Sequence, residues 1–270
     1  MSKAMLIDTT RCIGCRGCQV ACKSWHNLPG ERTVFSETWS NPRYLDSNNY
    51  TRIIFREMAK PGKDLSWHFI SRRCMHCLDP ACVSVCPVAA LTKLANGPVV
   101  YDDERCIGCR YCMMACPFQI PKFQWSSAVP LVRKCDFCAD RIAIGLSPAC
   151  STVCPTEALL FGDRQELVQE AHRRIGAHPG KYYPEVYGEK IVGGTSKLYL
   201  TAVSFKELEL DHRGFRTDLG NVPYGVYGRE WMSKVPWVAL GVGGLAVGLY
   251  YINKRRAAVQ ERQSQEGKED

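Results

Sequence analysis

The apolar positions of this chain fall into several short runs, one helical period and one long uninterrupted stretch. Met5-Leu6-Ile7 and Val99-Val100-Tyr101 predict short strands, as do Tyr50 to Met58 and Ser66 to Ser71, which are separated by a turn at Pro61-Gly62. Lys197 to Val203 predicts another strand. Helical spacing occurs from Asp163 to Ile175, where Leu167, Val168, Ala171 and Ile175 form one apolar face. There Asp163 is placed to cap the helix with Glu166 at the third helical position, and Gly176 to end it. Residues 24 to 73 form a long insertion, and Ser24 to Asn49 within it is rich in Pro, Ser, Asn and aromatics, with turn signals at Pro29-Gly30 and Asn41-Pro42. Asp211 to Glu230 has no periodicity and is expected to be an extended linker.

The uninterrupted stretch is Val235 to Ile252, 18 residues without a charge. As a helix it would be about 27 Å long, close to a hydrocarbon core of roughly 30 Å. Trp237 and Tyr250-Tyr251 stand at its ends as interfacial anchors, and the flanking Lys234 and Lys254-Arg255-Arg256 favour a membrane span over a buried soluble helix. Gly241, Gly244 and Gly248 offer a face for close packing on a partner helix. The charged tail from Ala257 is expected to be disordered. Residues 1 to 11 hold no apolar run long enough for a signal peptide.

Cysteine usage changes the picture. The chain has 16 cysteines in 270 residues, and all of them fall into four groups of four. They are Cys12, Cys15, Cys18 and Cys22; Cys74, Cys77, Cys82 and Cys86; Cys106, Cys109, Cys112 and Cys116; and Cys135, Cys138, Cys150 and Cys154. The third has the spacing C-x2-C-x2-C-x3-C-P of bacterial ferredoxins, in which three thiolates bind one [4Fe–4S] cluster and the fourth crosses to a second. Gly108 supplies the backbone freedom such a tight loop needs, and Pro117 helps to aim Cys116 elsewhere. The first group ends in Lys23 where the others have proline. Disulfides suit short secreted chains with irregular cysteine spacing, and zinc usually closes with two C-x2-C pairs or a Cys/His mixture. His76 lies inside the second group, but no group lacks a cysteine, so a surface or hydrogen-bonding role is expected of it.

The groups are duplicated. Asp8–Cys22 aligned on Asp102–Cys116 gives 10 identities in 15 positions, and Pro80–Leu91 aligned on Pro148–Leu159 gives 8 in 12. One supersecondary unit is used twice. The formal charge of +8 would by itself suggest nucleic acid or an acidic membrane surface. An oxidised [4Fe–4S] centre with four thiolates carries about −2, so four of them cancel the excess, and no nucleic-acid partner is expected. Arg11, Arg16, Arg72, Arg73, Arg105, Arg110, Arg133 and Lys134 lie beside or within the cysteine groups, most of them reading individually as ordinary loop charges. Trp25, Trp39 and Trp67 read as packing residues, with shielding of clusters as the alternative.

Four such groups followed by one C-terminal span resemble the iron–sulfur β subunit of membrane-bound molybdenum or tungsten oxidoreductases. The formate dehydrogenase β subunit is the nearest resemblance, through Cys12-Ile13-Gly14-Cys15-Arg16-Gly17-Cys18-Gln19-Val20-Ala21-Cys22-Lys23, Tyr187-Gly188-Glu189, Gly193-Gly194-Thr195-Ser196 and Leu198-Tyr199-Leu200. The resemblance implies an α+β fold of two ferredoxin-like modules related by a pseudo-twofold axis, plus one transmembrane helix. It implies that the first and fourth groups pair, as do the second and third. Cys12, Cys15, Cys18 and Cys154 would hold one cluster, and Cys22, Cys135, Cys138 and Cys150 its neighbour. Cys74, Cys77, Cys82 and Cys116 would hold a third, and Cys86, Cys106, Cys109 and Cys112 the fourth.

The expected organisation is a cluster domain at residues 1–162, a helix and strand completing it at 163–210, a linker at 211–234, the span at 235–252 and a charged tail at 253–270. With no triad, phosphate-binding glycine loop or open metal site, the chain reads as a wire rather than a place of substrate turnover. By resemblance, a molybdopterin-containing catalytic α subunit would feed it, and a membrane γ subunit carrying haem b would receive the electrons for quinone reduction. The span contains no histidine to offer such a haem. The same relay in a hydrogenase or another respiratory reductase is the second reading, and a structural zinc scaffold the third. Within 18 residues of the span, the C-terminal side carries Lys254, Arg255, Arg256, Arg262 and Lys268, against Arg229 and Lys234 on the other. That bias predicts a cytoplasmic tail and a periplasmic cluster domain, with export on a partner's twin-arginine signal implied by the resemblance. A cytoplasm-facing cluster domain is the competitor.

Overall fold

The elements follow one another as β1 (Lys3–Asp8), α1 (Gly17–Trp25), β2 (Arg52–Met58), β3 (Ser66–Arg72), α2 (Ala81–Ser84), β4 (Leu91–Lys93), β5 (Val99–Tyr101), α3 (Tyr111–Ala115), β6 (Lys122–Phe123), β7 (Val132–Arg133), α4 (Ala139–Ala143), α5 (Ala149–Thr152), β8 (Leu159–Asp163), α6 (Arg164–Ala177), β9 (Lys197–Leu200) and α7 (Tyr224–Glu266). The computed structural model describes residues 2–35, 38–59, 64–208, 210 and 221–266, with side chains to residue 260. The expected turn at Pro61-Gly62 and most of the expected linker lie outside the described residues. The chain divides into two units, Met1–Gly228 and Arg229–Asp270.

In the first unit β1 is the central strand of a sheet ordered β8-β1-β9. It pairs antiparallel with β8, Lys3 opposite Asp163 and Ile7 opposite Leu159. With β9 it pairs parallel, Met5 opposite Lys197 and Asp8 opposite Leu200. Period-two alternation sorts the side chains of β1 and β9 between two cores. Ala4, Leu6, Leu198 and Leu200 pack with Leu167 and Ala171 of α6. Met5, Ile7 and Tyr199 face the other way, into a core that contains Cys18, Cys150, Ile53, Ile70 and Phe137. The sheet is thus a wall between a helix and the cysteine-bearing interior.

The expected strands at Tyr50–Met58 and Ser66–Ser71 form the hairpin β2–β3, in register from Arg52–Arg72 to Met58–Ser66. The expected helix from Asp163 is α6, but two of its details differ. Asp163 makes no side-chain capping hydrogen bond, because its carboxylate lies 3.5 Å from the Lys3 ammonium across the β1–β8 pairing. Gly176 lies inside the helix, which ends at Ala177. The strand expected from Lys197 to Val203 stops at Leu200, where its pairing with β1 runs out at Asp8.

Helix α7 departs most from expectation. It begins at Tyr224, inside the expected linker, and runs through the expected tail to Glu266. Pro223 precedes the first helical residue, where its fixed φ favours initiation. Beyond the span, Arg255, Arg256, Ala257, Ala258, Gln260 and Glu261 are good helix formers that extend a turn already nucleated. Tyr224–Gln260 is apolar enough to cross a membrane, with a mean hydropathy of 1.6 in its most apolar window and none of that window buried.

Candidate metal centre

Each cysteine group is folded by a local rule that the sequence repeats. In Cys12–Cys18 and Cys106–Cys112 the glycines at the third position, Gly14 and Gly108, both have φ of +69°, and Arg16 and Arg110 have φ of 61° and 62°. Those two arginines are the left-handed residues from which α1 and α3 start. The Gly108 N–H points at Cys106 Sγ (3.4 Å), and the Gly14 N–H hydrogen-bonds Cys12. The C-x2-C loops of the other two groups turn through positive φ at His76 and at Phe137 and Cys138, with the Phe137 N–H 3.4 Å from Cys135 Sγ.

The fourth cysteine of each group shows what proline does. After Cys86-Pro87, Cys116-Pro117 and Cys154-Pro155 the chain closes a turn, with Ala89, Gln119 and Glu157 at φ of 51° to 53°. Their N–H groups bond back to the cysteine carbonyls at 3.1–3.3 Å. Pro117 cannot continue a helix, so α3 stops at Ala115. Lys23 has no such effect, and α1 continues past Cys22 to Trp25.

These loops bring thiols together across the chain. Cys12, Cys15, Cys18 and Cys154 line one cavity with Ile7, Ile53 and Phe69. Burial pushes the Cys12 thiol up to about 11; the Gly14 N–H opposes this, while Cys18, Cys154 and Cys15 add to it. Cys22 is pushed up by burial first and then by Cys135 and Cys150. Cys138 is raised by burial to about 12, with Cys135 and Cys150 also acting on it. For Cys77 burial comes first, followed by Cys116, Cys82 and Cys74. For Cys112, at about 12, burial is followed by Cys109, Cys106 and Cys86. All 16 thiols are free of disulfides. The cavity lined by Cys12, Cys15, Cys18 and Cys154, with one member from a distant group, suits a thiolate-ligated iron–sulfur centre. Neutral buried thiols must lose protons to become ligands.

Several polar residues are placed differently from expectation. Of the two roles expected of His76 the hydrogen-bonding one holds and the surface one does not: it is 1% exposed and stacks on Phe137 at 4.9 Å between ring centroids. Its Nδ1 accepts from the Val99 N–H (3.0 Å). Burial, followed by Lys134, Lys197, Lys93 and Arg73, holds it well below the usual imidazole range. Arg73 and Lys134 are buried and are not loop charges. Lys197 is also buried, and sequence reasoning missed it altogether. In the strand Lys-Leu-Tyr-Leu, Lys197 shares a face with Tyr199, but the side of the sheet to which that face turns is set by the pairing with β1. His26, Asp136 and Cys138 have ligand atoms within 4.8 Å of one another, but Cys138 is influenced by Cys135 and Cys150, and His26 Nε2 lies 3.3 Å from the Asp136 carboxylate. Trp25 donates to Asp140 (3.0 Å) beneath the Arg141 guanidinium. Trp39 and Trp67 pack together at 6.3 Å.

Paired cysteine sets of this kind define a ferredoxin-type iron–sulfur protein, and models of the 4Fe-4S dicluster domain match residues 11–90 and 65–164. The chain is 40% identical over 200 residues to the nitrate-inducible formate dehydrogenase iron-sulfur subunit of Escherichia coli K12, covering 73% of this chain and 67% of that one. It is 38% identical over 239 residues to the Hydrogenase-2 operon protein HybA of Escherichia coli O157:H7, covering 77% and 73%. A formate dehydrogenase iron-sulfur subunit of Haemophilus influenzae is 36% identical over 201 residues, covering 73% and 64%. The chain belongs to the family of iron–sulfur subunits of oxidoreductase complexes that includes these formate dehydrogenase subunits and HybA. It carries four [4Fe–4S] clusters and serves electron transfer without turning over substrate itself. Its C-terminal helix associates it with the membrane.

Proposed function

We propose that this chain relays electrons in series through four clusters, from a molybdopterin-containing catalytic subunit of the formate dehydrogenase type to a quinone-reactive membrane subunit carrying haem b. The ligand sets are Cys12, Cys15, Cys18 and Cys154; Cys22, Cys135, Cys138 and Cys150; Cys74, Cys77, Cys82 and Cys116; and Cys86, Cys106, Cys109 and Cys112. Two ferredoxin-like modules with pseudo-twofold symmetry are the architecture of this reading. The observation that carries it is the single cavity lined by Cys12, Cys15 and Cys18 of the first group together with Cys154 of the fourth. Each cluster, when bound, supplies a one-electron carrier. The protein holds it in a loop of oriented N–H groups, keeps water from most of it, and surrounds it with fixed charge.

The test is ligand exchange. Cys22→Ser should disturb the EPR signal that Cys138→Ser disturbs, and leave the Cys12→Ser signal changed only indirectly; a shared Cys22 and Cys12 signal defeats the assignment. Similarity to HybA favours a second reading, the same relay beside a hydrogenase catalytic subunit. Native mass spectrometry of the purified complex separates the two by the catalytic subunit it finds. The charge bias around the span supports a periplasmic cluster domain. Protease added to intact spheroplasts should then attack the cluster domain and spare the tail; the reverse pattern defeats this orientation.

A further inference from the structure

Buried positive charge is unusual in a protein interior, and here two buried cations, Arg73 and Lys197, both act on the Cys22, Cys135, Cys138 and Cys150 set. Arg73 is 1% exposed, and its Nη1 donates to Cys150 Sγ at 2.7 Å while Nη2 donates to the Ser71 hydroxyl. Its charge also acts on Cys18 and Cys22. Lys197 is fully buried. Its ammonium lies 3.1 Å from the centroid of the Phe137 ring and 3.6 Å from Met5 Sδ. The thiolates that act on it are Cys135, Cys150 and Cys138, all of one set.

Among the described residues neither cation has a carboxylate within ion-pair distance. A buried charge without an opposite charge is too costly to persist, so the anionic cysteine set beside them is their partner. Two other cations serve the Cys74 set instead: buried Lys134, bound to the Val99 and Cys135 carbonyls, acts on Cys82, and half-buried Lys93, bound to the His76 and Gly97 carbonyls, acts on Cys77 and Cys74. The foremost charges acting on Cys112 are thiolates alone. The placement of Lys197 is structural in origin. Parallel pairing sets it opposite Met5, on the face of the sheet turned toward the cysteines rather than toward α6.

We propose that Lys197, supported by Arg73, raises the reduction potential of the cluster held by Cys22, Cys135, Cys138 and Cys150. Arg73 also reaches the neighbouring Cys12 set through Cys18. One-electron reduction adds one negative charge to a centre that is already anionic. A fixed cation a few ångströms away, in an interior of low dielectric, stabilises that added charge more strongly than any exposed residue does. The Arg73 hydrogen bond to Cys150 Sγ acts in the same direction. This inference rests on the ligand sets proposed above.

The experiment is a potentiometric EPR titration, with dithionite as electron donor, of the anaerobically purified complex containing the full-length chain. Lys197→Met should lower the reduction equilibrium constant of one component at least tenfold, which is 59 mV for a one-electron couple. Lys197→Arg, which keeps the charge, should leave it at the wild-type value. Cys22→Ser identifies the component. If it disturbs the signal that Cys12→Ser disturbs, the ligand sets and this inference both fall. If it marks a separate component that Lys197→Met leaves unmoved, or if all four components move alike, the inference falls while the ligand sets stand. Should Lys197→Met lose iron, Lys197→Gln replaces it, with the same downward shift expected and an unchanged potential overturning the proposal.

Discussion

Gly14 and Gly108 hold the same place in two copies of one motif, with the same φ of +69°, yet their surroundings differ. A Cβ at Gly14 would lie 2.9 Å from Phe69 Cδ1 and 3.1 Å from Phe55 Cζ, whereas at Gly108 the nearest atom is Phe123 Cε2 at 3.7 Å. Alanine in the left-handed region costs roughly 1–2 kcal/mol, and the reduced freedom of the unfolded chain offsets about 0.4–1 kcal/mol of that. Gly108→Ala should therefore cost about 1 kcal/mol net. Both terms are shared by Gly14→Ala, which must also displace two rings. Those rings are held: Phe55 and Phe69 pack edge-on at 5.0 Å, and the Arg16 guanidinium lies 4.8 Å over Phe55. Overpacking of this kind costs about 1–3 kcal/mol. The difference between the variants isolates that steric part, a factor of roughly 5 to 150 in population. Cluster release makes unfolding irreversible, so the assay is a rate: loss of visible cluster absorbance in a fixed anaerobic concentration of guanidinium. Gly14→Ala should bleach several-fold faster than Gly108→Ala, with the first iron lost from the Cys12 set. Equal rates would refute the argument that Phe55 and Phe69 form a rigid wall behind this loop.

Two further outcomes follow from buried polar groups. Asp8 is 1% exposed and accepts from Arg174 Nη1 (2.9 Å), the Tyr182 hydroxyl (3.0 Å) and Thr10 Oγ1 (2.6 Å). Asp8→Asn should cost about 3 kcal/mol, the lower end for a broken buried pair because Arg174 retains Glu170, and a guanidinium unfolding midpoint shows it. In the metal-free chain, burial pushes Cys12, Cys116 and Cys135 from 9.0 up to about 11. The folded chain thus keeps protons that the unfolded chain sheds above pH 9. Metal-free stability is therefore full below pH 9 and declines as pH rises toward 11, whereas cluster loading, which expels those protons, strengthens in the same direction. Thermal unfolding of the metal-free chain and iron uptake at fixed free iron, both from pH 8 to 10, measure the two trends; a metal-free chain that gains stability over that range contradicts the first.

The cysteine spacing alone identified the cluster chemistry, because three sulfurs on one cubane require a loop only a few arrangements allow, and the sequence writes those loops out twice. The β2–β3 hairpin and the face of α6 were likewise legible, since each is a local period. The apolar stretch at Val235–Ile252 marked the span, but not the helix around it, whose ends depend on Pro223 and on the helix-forming residues beyond Ile252. The tertiary structure alone decided which thiols meet, because Cys12 and Cys154 are brought together by the β1–β8 pairing and the folds of their separate loops. It alone decided the protonation environment of His76 and the burial of Arg73 and Lys134, residues that sit in loops by sequence but in the interior by packing. Lys197 is the clearest case: whether the ammonium of a strand residue faces α6, solvent or a set of thiolates depends on a strand register that no stretch of local sequence encodes.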